Sequence, residues 1–503
     1  MYSDAVKTSG REDDLLVEDI ITLSLQCRNI GGGRMGNYGF VIDNRTCIGC
    51  HACTVACKSE HNVPIGVNRT HVKYIEKGIF PNSTREFSVH RCNHCEDAPC
   101  VSICPTTALF YRADGIVDFD DDRCIGCKSC MQACPYDALY IDPDNGTAAK
   151  CNYCAHRIEH SYEPACVIVC PTESIISGDL GDPGSRISQL VASNETTVRK
   201  PEQGTKPSIH YIEASEEMLD PAATEVTGYG MWTDQAAGVG HFAKYAQERL
   251  GAADSSSMIV QLALEKKASQ SAPRDAAIIH DVMERLAEDS GAKRSYDQPT
   301  KGVLWGWEVS TYIWTKAIAA GTYLVATLLM LAGEVEMTDQ LWWATLGIGI
   351  GFLAITGLML IIDLDRPDRF LYVLLRPNWD SWLVRGAYIL SGYGAVLAAS
   401  AAVLLLDLDR GLLTYLAYAG IPLAALTGVY TAWLFQQAKG RSWSEDGLLP
   451  LKFLIETLVI GAAVFLPVME REPLVIAVGV SLLAAAWVHD KQAVRKPQME
   501  PLL

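Results

Sequence analysis

The stretch CIGCKSCMQACP, residues 124–135, sets Cys124, Cys127, Cys130 and Cys134 at the spacing C-x2-C-x2-C-x3-C and closes on Pro135. The same spacing appears upstream in CIGCHACTVAC, residues 47–57, through Cys47, Cys50, Cys53 and Cys57. Two stretched groups complete the set: Cys92, Cys95, Cys100 and Cys104 before Pro105, and Cys151, Cys154, Cys166 and Cys170 before Pro171. Sixteen of the 17 cysteines therefore lie between Cys47 and Cys170. Cys27 belongs to no group and reads as a buried or loop thiol without function.

Clustered cysteines can mean disulfides, zinc or iron–sulfur clusters. The opening residues, MYSDAVKTSGREDDLLVEDI, contain no apolar core of signal-peptide length, no basic segment before one and no twin-arginine pair. The chain is thus expected to start in the cytoplasm, where compact cysteine groups are metal ligands rather than disulfides. Structural zinc takes four thiolates from well-separated pairs. Here a third or fourth cysteine follows at once and a proline closes three of the groups. C-x2-C-x2-C-x3-C is the bacterial ferredoxin run, in which three thiolates cap one cubane and the fourth reaches to another. The expectation is four 4Fe-4S clusters, sixteen cysteine ligands in all, in an α+β ferredoxin-like domain of two double-cluster modules. The segments between motifs, GIVDFDDDRC and ALYIDPDNGTAAKC, have the short strands and Gly/Pro/Asp turns of such loop-rich domains.

A length of 503 residues, 49% of them hydrophobic, calls for two or more units. Lys plus Arg give 42 positive charges against 59 from Asp plus Glu, a balance that excludes a nucleic-acid partner. The division expected is an arm over 1–40, with glycines at 31–33, a cluster domain over 41–195, a polar connector over 196–304 and a transmembrane domain over 305–503. The connector holds an amphipathic pattern in PRDAAIIHDVMERLAED, where Ile278, Ile279, Val282, Met283 and Leu286 recur at helical spacing. It is expected to pack on a partner or on the cluster domain.

Six stretches are long and apolar enough to cross a bilayer: 309–332, 341–362, 385–406, 411–435, 451–468 and 473–489. Their charges sit in the loops between them, which argues against a buried soluble core. Arg366, Arg369, Arg376, Arg385, Lys439, Arg441, Lys452, Lys491, Arg495 and Lys496 fall on the side of the N-terminal domain, against Arg410 and Arg471 opposite. The positive-inside rule then places the cluster domain on the cytoplasmic side of the cytoplasmic membrane.

The four motifs over 41–180 resemble the four-cluster iron–sulfur subunit of the dimethyl sulfoxide reductase family of molybdopterin oxidoreductases. In that family the first motif pairs with the fourth and the second with the third. The resemblance implies one cluster on Cys47, Cys50, Cys53 and Cys170 and another on Cys57, Cys151, Cys154 and Cys166. It implies a third on Cys92, Cys95, Cys100 and Cys134, and a fourth, nearest the membrane, on Cys104, Cys124, Cys127 and Cys130. All sixteen ligands are present, so no three-iron variant is expected. Nothing in the chain resembles a molybdopterin, flavin or nickel site. A separate catalytic molybdopterin subunit is therefore implied, docked near the first motif.

TGLMLIIDLDRPDRFLYVLLRPNWDSWLVRGAYIL, from Thr356 to Leu390, resembles the NrfD-like membrane subunits, a family that includes the anchor of polysulfide reductase. Its Asp-Leu-x-Arg-Pro and Arg-Pro-Asn elements carry the likeness, with IAAGTYLV and LTGVYTAWLF in support. Those relatives commonly have eight or more spans, so part of the family fold is missing here or supplied by a further membrane subunit.

The resemblance points to quinone or quinol as the partner in the membrane. Polar residues gather at the cluster-domain end of the spans: Glu308, Tyr312, Lys316, Asp363, Arg385, Tyr388, Tyr430, Thr431 and Glu456. Charges in a membrane are costly and mark functional paths. Against this stand a loop ion-pair network for Asp363, Arg366 and Arg369, snorkelling for Lys316 and an interfacial belt for the tyrosines. The quinone site expected is Tyr312, Lys316, Tyr388, Tyr430 and Glu456, with Glu456 or Asp363 relaying protons. After the connector the sole histidine is His489, so no haem is expected. The leading function is electron transfer between a catalytic partner and the quinone pool. The alternatives are an electron-transfer module of a hydrogenase or of an alternative quinol-oxidising complex, and a structural anchor without quinone chemistry.

Overall fold

The computed structural model describes residues 36–78, 83–221, 224–226, 292–297, 301–469 and 473–499. Cys27, the glycine run and the amphipathic segment of the connector lie outside these residues.

The cluster domain is organised by β1 (Tyr38–Asp43), which is flanked on both sides in a four-stranded sheet of order β8-β1-β10-β9, with β9 at Thr196–Thr197. β8 (Ile175–Asp179) pairs with it antiparallel and β10 (Ile209–Ile212) parallel. Side chains alternate faces along a strand, and YGFVID uses both. Phe40 and Ile42 pack with Cys53, Val72, Tyr153 and Cys166, while Val41 turns to Ile176, Ile187 and Ile212. A second sheet has the order β11-β12-β2-β3, from β2 (His71–Lys77), β3 (Thr84–His90), β11 (Glu225–Val226) and β12 (Lys293–Tyr296). Strands on either side of residues 227–291 therefore complete sheets begun near the first motif.

Two hairpins, β4/β5 (Leu109–Tyr111 and Val117–Phe119) and β6/β7 (Leu139–Ile141 and Ala148–Lys150), follow the second and third motifs. Short helices at Ala52–Glu60, Pro99–Ile103, Ser129–Ala133 and Ala165–Ile168 carry the third cysteine of each motif, Cys53, Cys100, Cys130 and Cys166, and the first of them carries Cys57 as well. In both Cys-Ile-Gly-Cys turns the glycine has positive φ, +66° at Gly49 and +69° at Gly126, a conformation that costs other residues steric strain. This alternation of short strands, tight turns and single-turn helices is the α+β arrangement expected from the sequence.

Among the described residues six apolar helices follow: Trp307–Leu331, Asp339–Ile362, Trp382–Leu405, Gly411–Gln437, Leu449–Met469 and Pro473–Met499. The first is the hub, with 72% of its apolar stretch buried against 11 to 39% for the others. It meets the fifth at Gly321 and Gly461, where a Cβ on either glycine would collide with the backbone of the other helix. Small residues permit such close backbone approach, a frequent basis of helix association in lipid. Gln498 closes the bundle where it begins: its Oε1 accepts from the Leu304 and Trp305 amides at 2.9 Å, and its Nε2 donates to the Trp305 carbonyl at 3.0 Å.

Candidate functional site

The two Asp/Arg-Pro elements between the second and third membrane helices grip the cluster domain. Asn378 donates from Nδ2 to the Cys104 carbonyl at 2.7 Å and from its backbone to the Pro105 carbonyl at 3.0 Å. Ser381 donates to the Ile103 carbonyl at 2.7 Å. Arg369 donates to the carbonyls of Asp121 (2.6 Å) and Cys124 (3.2 Å), and Lys128 pairs with Asp365 at 3.0 Å. Trp305 Nε1 donates to the Cys127 carbonyl at 3.2 Å. The second and third cysteine motifs are thus tied by backbone carbonyls to the membrane bundle.

The sixteen grouped cysteines form no disulfide, and most are buried, with Cys50 exposed. Cys47, Cys50, Cys53 and Cys170 line one small cavity, and Cys92, Cys95, Cys100 and Cys134 line another. Cys57 interacts electrostatically with Cys166 and Cys154, and Cys151 with Cys57, Cys166 and Cys92. Cys130 does so with Cys127, Cys124 and Cys104, and also with Cys100 of the second motif. Among the described residues the set of three or more His, Cys, Asp or Glu ligand atoms within 4.8 Å of one another is Glu456, His489 and Asp490. The thiols are therefore spaced more widely than the shell of a single tetrahedral ion. Backbone amides also point at sulfur, from Ala148 to Cys124 at 3.3 Å and from Ser174 to Cys170 at 3.2 Å. Wide thiol quartets with donors aimed at sulfur fit a cubane cluster, whose four irons each take one thiolate.

Beyond the third motif lies a cavity of about 260 Å³. Its wall on the cluster side is Ile125, Cys127 and Ser129; on the membrane side it includes Trp305, Tyr312, Gly357, Asp363, Leu374, Ala387 and Tyr430. Asp363 caps the second membrane helix just outside the span, and burial pushes its carboxyl up to about 7, with Lys128 opposing. The cavity is mostly apolar, with few polar groups converging in it, which is the usual make-up of a small-molecule site.

Residues 297–471 match the family model described as polysulphide reductase, NrfD; 84–180 match a 4Fe-4S dicluster domain and 45–60 a 4Fe-4S binding domain. Over 178 residues the sequence is 44% identical to a polysulfide reductase component of Wolinella succinogenes, a match that covers 35% of this chain and 93% of the relative. It is 41% identical over 194 residues to a tetrathionate reductase component of Salmonella typhimurium, covering 38% of this chain and 78% of the relative. It is also 41% identical over 208 residues to a putative dimethyl sulfoxide reductase iron–sulfur subunit of Halobacterium salinarum, at 35% and 79%.

The protein belongs to this family of reductase iron–sulfur subunits. It carries an NrfD-type membrane domain on the same polypeptide, so it is an integral membrane protein that holds iron–sulfur clusters and serves in electron transfer.

Within this iron–sulfur subunit the predicted membrane residues divide into three places. Tyr312, Asp363 and Tyr430 line the cavity. Lys316 is buried behind it: its ammonium lies 4.4 Å from the Tyr430 ring centre and donates to Gly428 O at 3.1 Å and Thr431 Oγ1 at 2.5 Å. Glu456 is bonded at 3.3 Å to His489, beside buried Asp490. Tyr388 stands apart, partly exposed, donating to Leu374 O at 3.0 Å and tilted against Trp379 at 4.7 Å between ring centres. Arg366 and Arg369 both pair with Asp368, and both also hold the cluster domain, Arg366 through the Asn145 carbonyl at 3.2 Å and Arg369 through the Asp121 carbonyl. Sequence reasoning missed Asn378, Ser381 and Gln498 as docking residues, because polar side chains that bond to carbonyls leave no periodic mark. Asp490 could have been found as an acid ending an apolar run.

Proposed function

We propose that this chain conducts electrons between a catalytic subunit docked at the outer end of its cluster domain and a quinone held in the cavity at its membrane end. The observation that carries the reading is the shared wall of that cavity. Cys127 and Ser129 of the third motif face Tyr312, Asp363 and Tyr430 across the same space.

Four cysteine quartets, grouped as the resemblance implies, would hold the clusters. Bound there, 4Fe-4S clusters supply one-electron carriers that conduct in steps too short to need a mobile shuttle. The protein's part is to fix the last quartet against the cavity, through Asn378, Arg369 and Trp305, and to exclude water from between them. At the other end Cys50 is exposed among Ile48, Val55, Ile168 and Val169, which are 56, 65, 55 and 40% exposed. An apolar surface around a first cluster suits a partner of the molybdopterin reductase type that the relatives' names suggest. The cluster domain is taken as 41–195, with the described strands of the segment 196–304 packed onto it and completing its two sheets, on the cytoplasmic side as the basic loops indicate.

Quinone chemistry moves two electrons and two protons. Tyr312 and Tyr430 are placed to hold the head group, and Asp363 to take or give a proton at the cavity floor. Lys316, Glu456, Asp490 and His489 form a second polar route behind Tyr430, ending at the 70% exposed His489 side chain. The test is to fill the cavity. In Ala387→Phe membranes a short-chain quinol should no longer reduce the clusters while dithionite still does; equal quinol reduction in the variant would refute the site.

A further inference from the structure

Arg91 is the largest fully buried side chain among the described residues, with 1% of its surface exposed. It lies directly after β3 and directly before Cys92. Its Nη1 donates to the Cys166 sulfur at 3.1 Å, and its guanidinium carbon sits 4.6 Å from the Phe40 ring centre. Its Nε and Nη2 are buried without a hydrogen-bond partner. The strongest charge interactions it feels come from three thiols, Cys166, Cys151 and Cys53. A guanidinium cannot shed its proton, and a buried cation is tolerated only where negative charge compensates it.

The thiols that surround it belong to two quartets. Cys53 lies in the group with Cys47, Cys50 and Cys170. Cys151 and Cys166 lie in the group with Cys57 and Cys154. A 4Fe-4S cluster with four thiolates carries net negative charge, one unit more when reduced. Lys150 repeats the arrangement further along: it is fully buried, bonded to the carbonyls of Val117 and Cys151, and acted on by Cys92 and Cys100 of the next quartet.

We propose that Arg91 is a positioning charge for electron transfer, a fixed cation shared by the first and second clusters that raises the reduction potentials of both. It favours the reduced form of each and so offsets, without changing, the repulsion between electrons on neighbouring clusters. The proposal rests on the cluster grouping above, and the two can fail separately. Wild-type membranes with less than a full iron complement would break the grouping, whereas unmoved potentials at full iron would break only this inference.

The experiment is a redox titration of the complete chain in membranes, followed by EPR, for wild type, Arg91→Gln and Arg91→Lys. Gln keeps an N–H for Cys166 and removes the charge; Lys keeps the charge and loses the fork. In Arg91→Gln, two of the four clusters should show at least a tenfold fall in the reduced-to-oxidised ratio at fixed potential, about 59 mV for one electron. The other two should stay near wild type, as should all four in Arg91→Lys. Wild-type potentials in Arg91→Gln would overturn the proposal, as would an equal fall in Arg91→Lys. If Arg91→Gln loses the two clusters, Arg91→Lys decides: wild-type potentials show that the charge is what the site requires, and shifted ones overturn it.

Discussion

The ammonium of Lys316 stands 4.4 Å from the centre of the Tyr430 ring, and Tyr430 lines the cavity while Lys316 does not. The buried cation is thus one side chain removed from the place where a head group fits. It follows that Lys316 acts on the reaction through its neighbours and not by direct contact.

Lys316→Met should leave quinone binding nearly intact and slow turnover. The expected loss is in kcat, about 10²-fold for a lost proton-transfer group, with KM changed less than threefold or so. Steady-state quinol oxidation in membranes measures both. Unchanged kcat would remove Lys316 from the proton route, and a large rise in KM alone would place it in direct contact with the substrate.

Asp363 gives a pH dependence. Its carboxyl, pushed by burial to about 7, is mostly protonated below that pH and ionised above it. As acceptor of a quinol proton it is active in the ionised form, so quinol oxidation should rise as pH increases through 7 and level off above. Asp363→Asn should be slow at every pH and lack that step. A variant with the wild-type profile would show that protons leave by another route.

Asn378→Ala removes the 2.7 Å bond to the Cys104 carbonyl and leaves that oxygen short of a donor. A lost bond to a buried carbonyl costs about 1 to 3 kcal/mol. Hydrogen exchange should quicken over residues 101–105 and 125–130, at the docked face, while β1 stays protected. Uniform protection would mean that the Arg-Pro-Asn loop does not hold the two halves together.

Much of this architecture is written in local pattern. The cysteine spacings and the six apolar runs each report on one segment, and the structure places short helices and membrane helices at them. The cavity is different, because Ile125, Tyr312, Asp363 and Tyr430 meet only when the two halves dock. Sequence reasoning reached Tyr312, Asp363 and Tyr430 by noting which end of each span they occupy. It could not separate them from Lys316 and Glu456, which share that depth but do not line the cavity, because helix rotation is set by packing at contacts such as Gly321 on Gly461. Arg91 gave no signal at all, since an arginine next to a cysteine is ordinary in sequence and unusual only once buried.

Gly126 joins the two levels. Its φ of +69° already disfavours a side chain, and an added Cβ would lie 2.6 Å from Asp365 Cβ and 2.7 Å from the Gly146 carbonyl. Gly126→Ala should cost at least about 1 kcal/mol from the backbone alone, with more from the clash. The loss should appear as reduced iron content and a weakened EPR signal from the cluster nearest the membrane. Gly351→Ala, where an added Cβ meets nothing within 4 Å, is the control and should match wild type.

The most direct test of the account is quinol-driven reduction of the isolated wild-type chain in membranes, watched by EPR without any catalytic partner. The account predicts that a short-chain quinol reduces those clusters whose potentials lie above its own, and that an inhibitor filling the cavity blocks this. Clusters that dithionite reduces but no quinol of lower potential can touch would contradict it, leaving the membrane half an anchor alone.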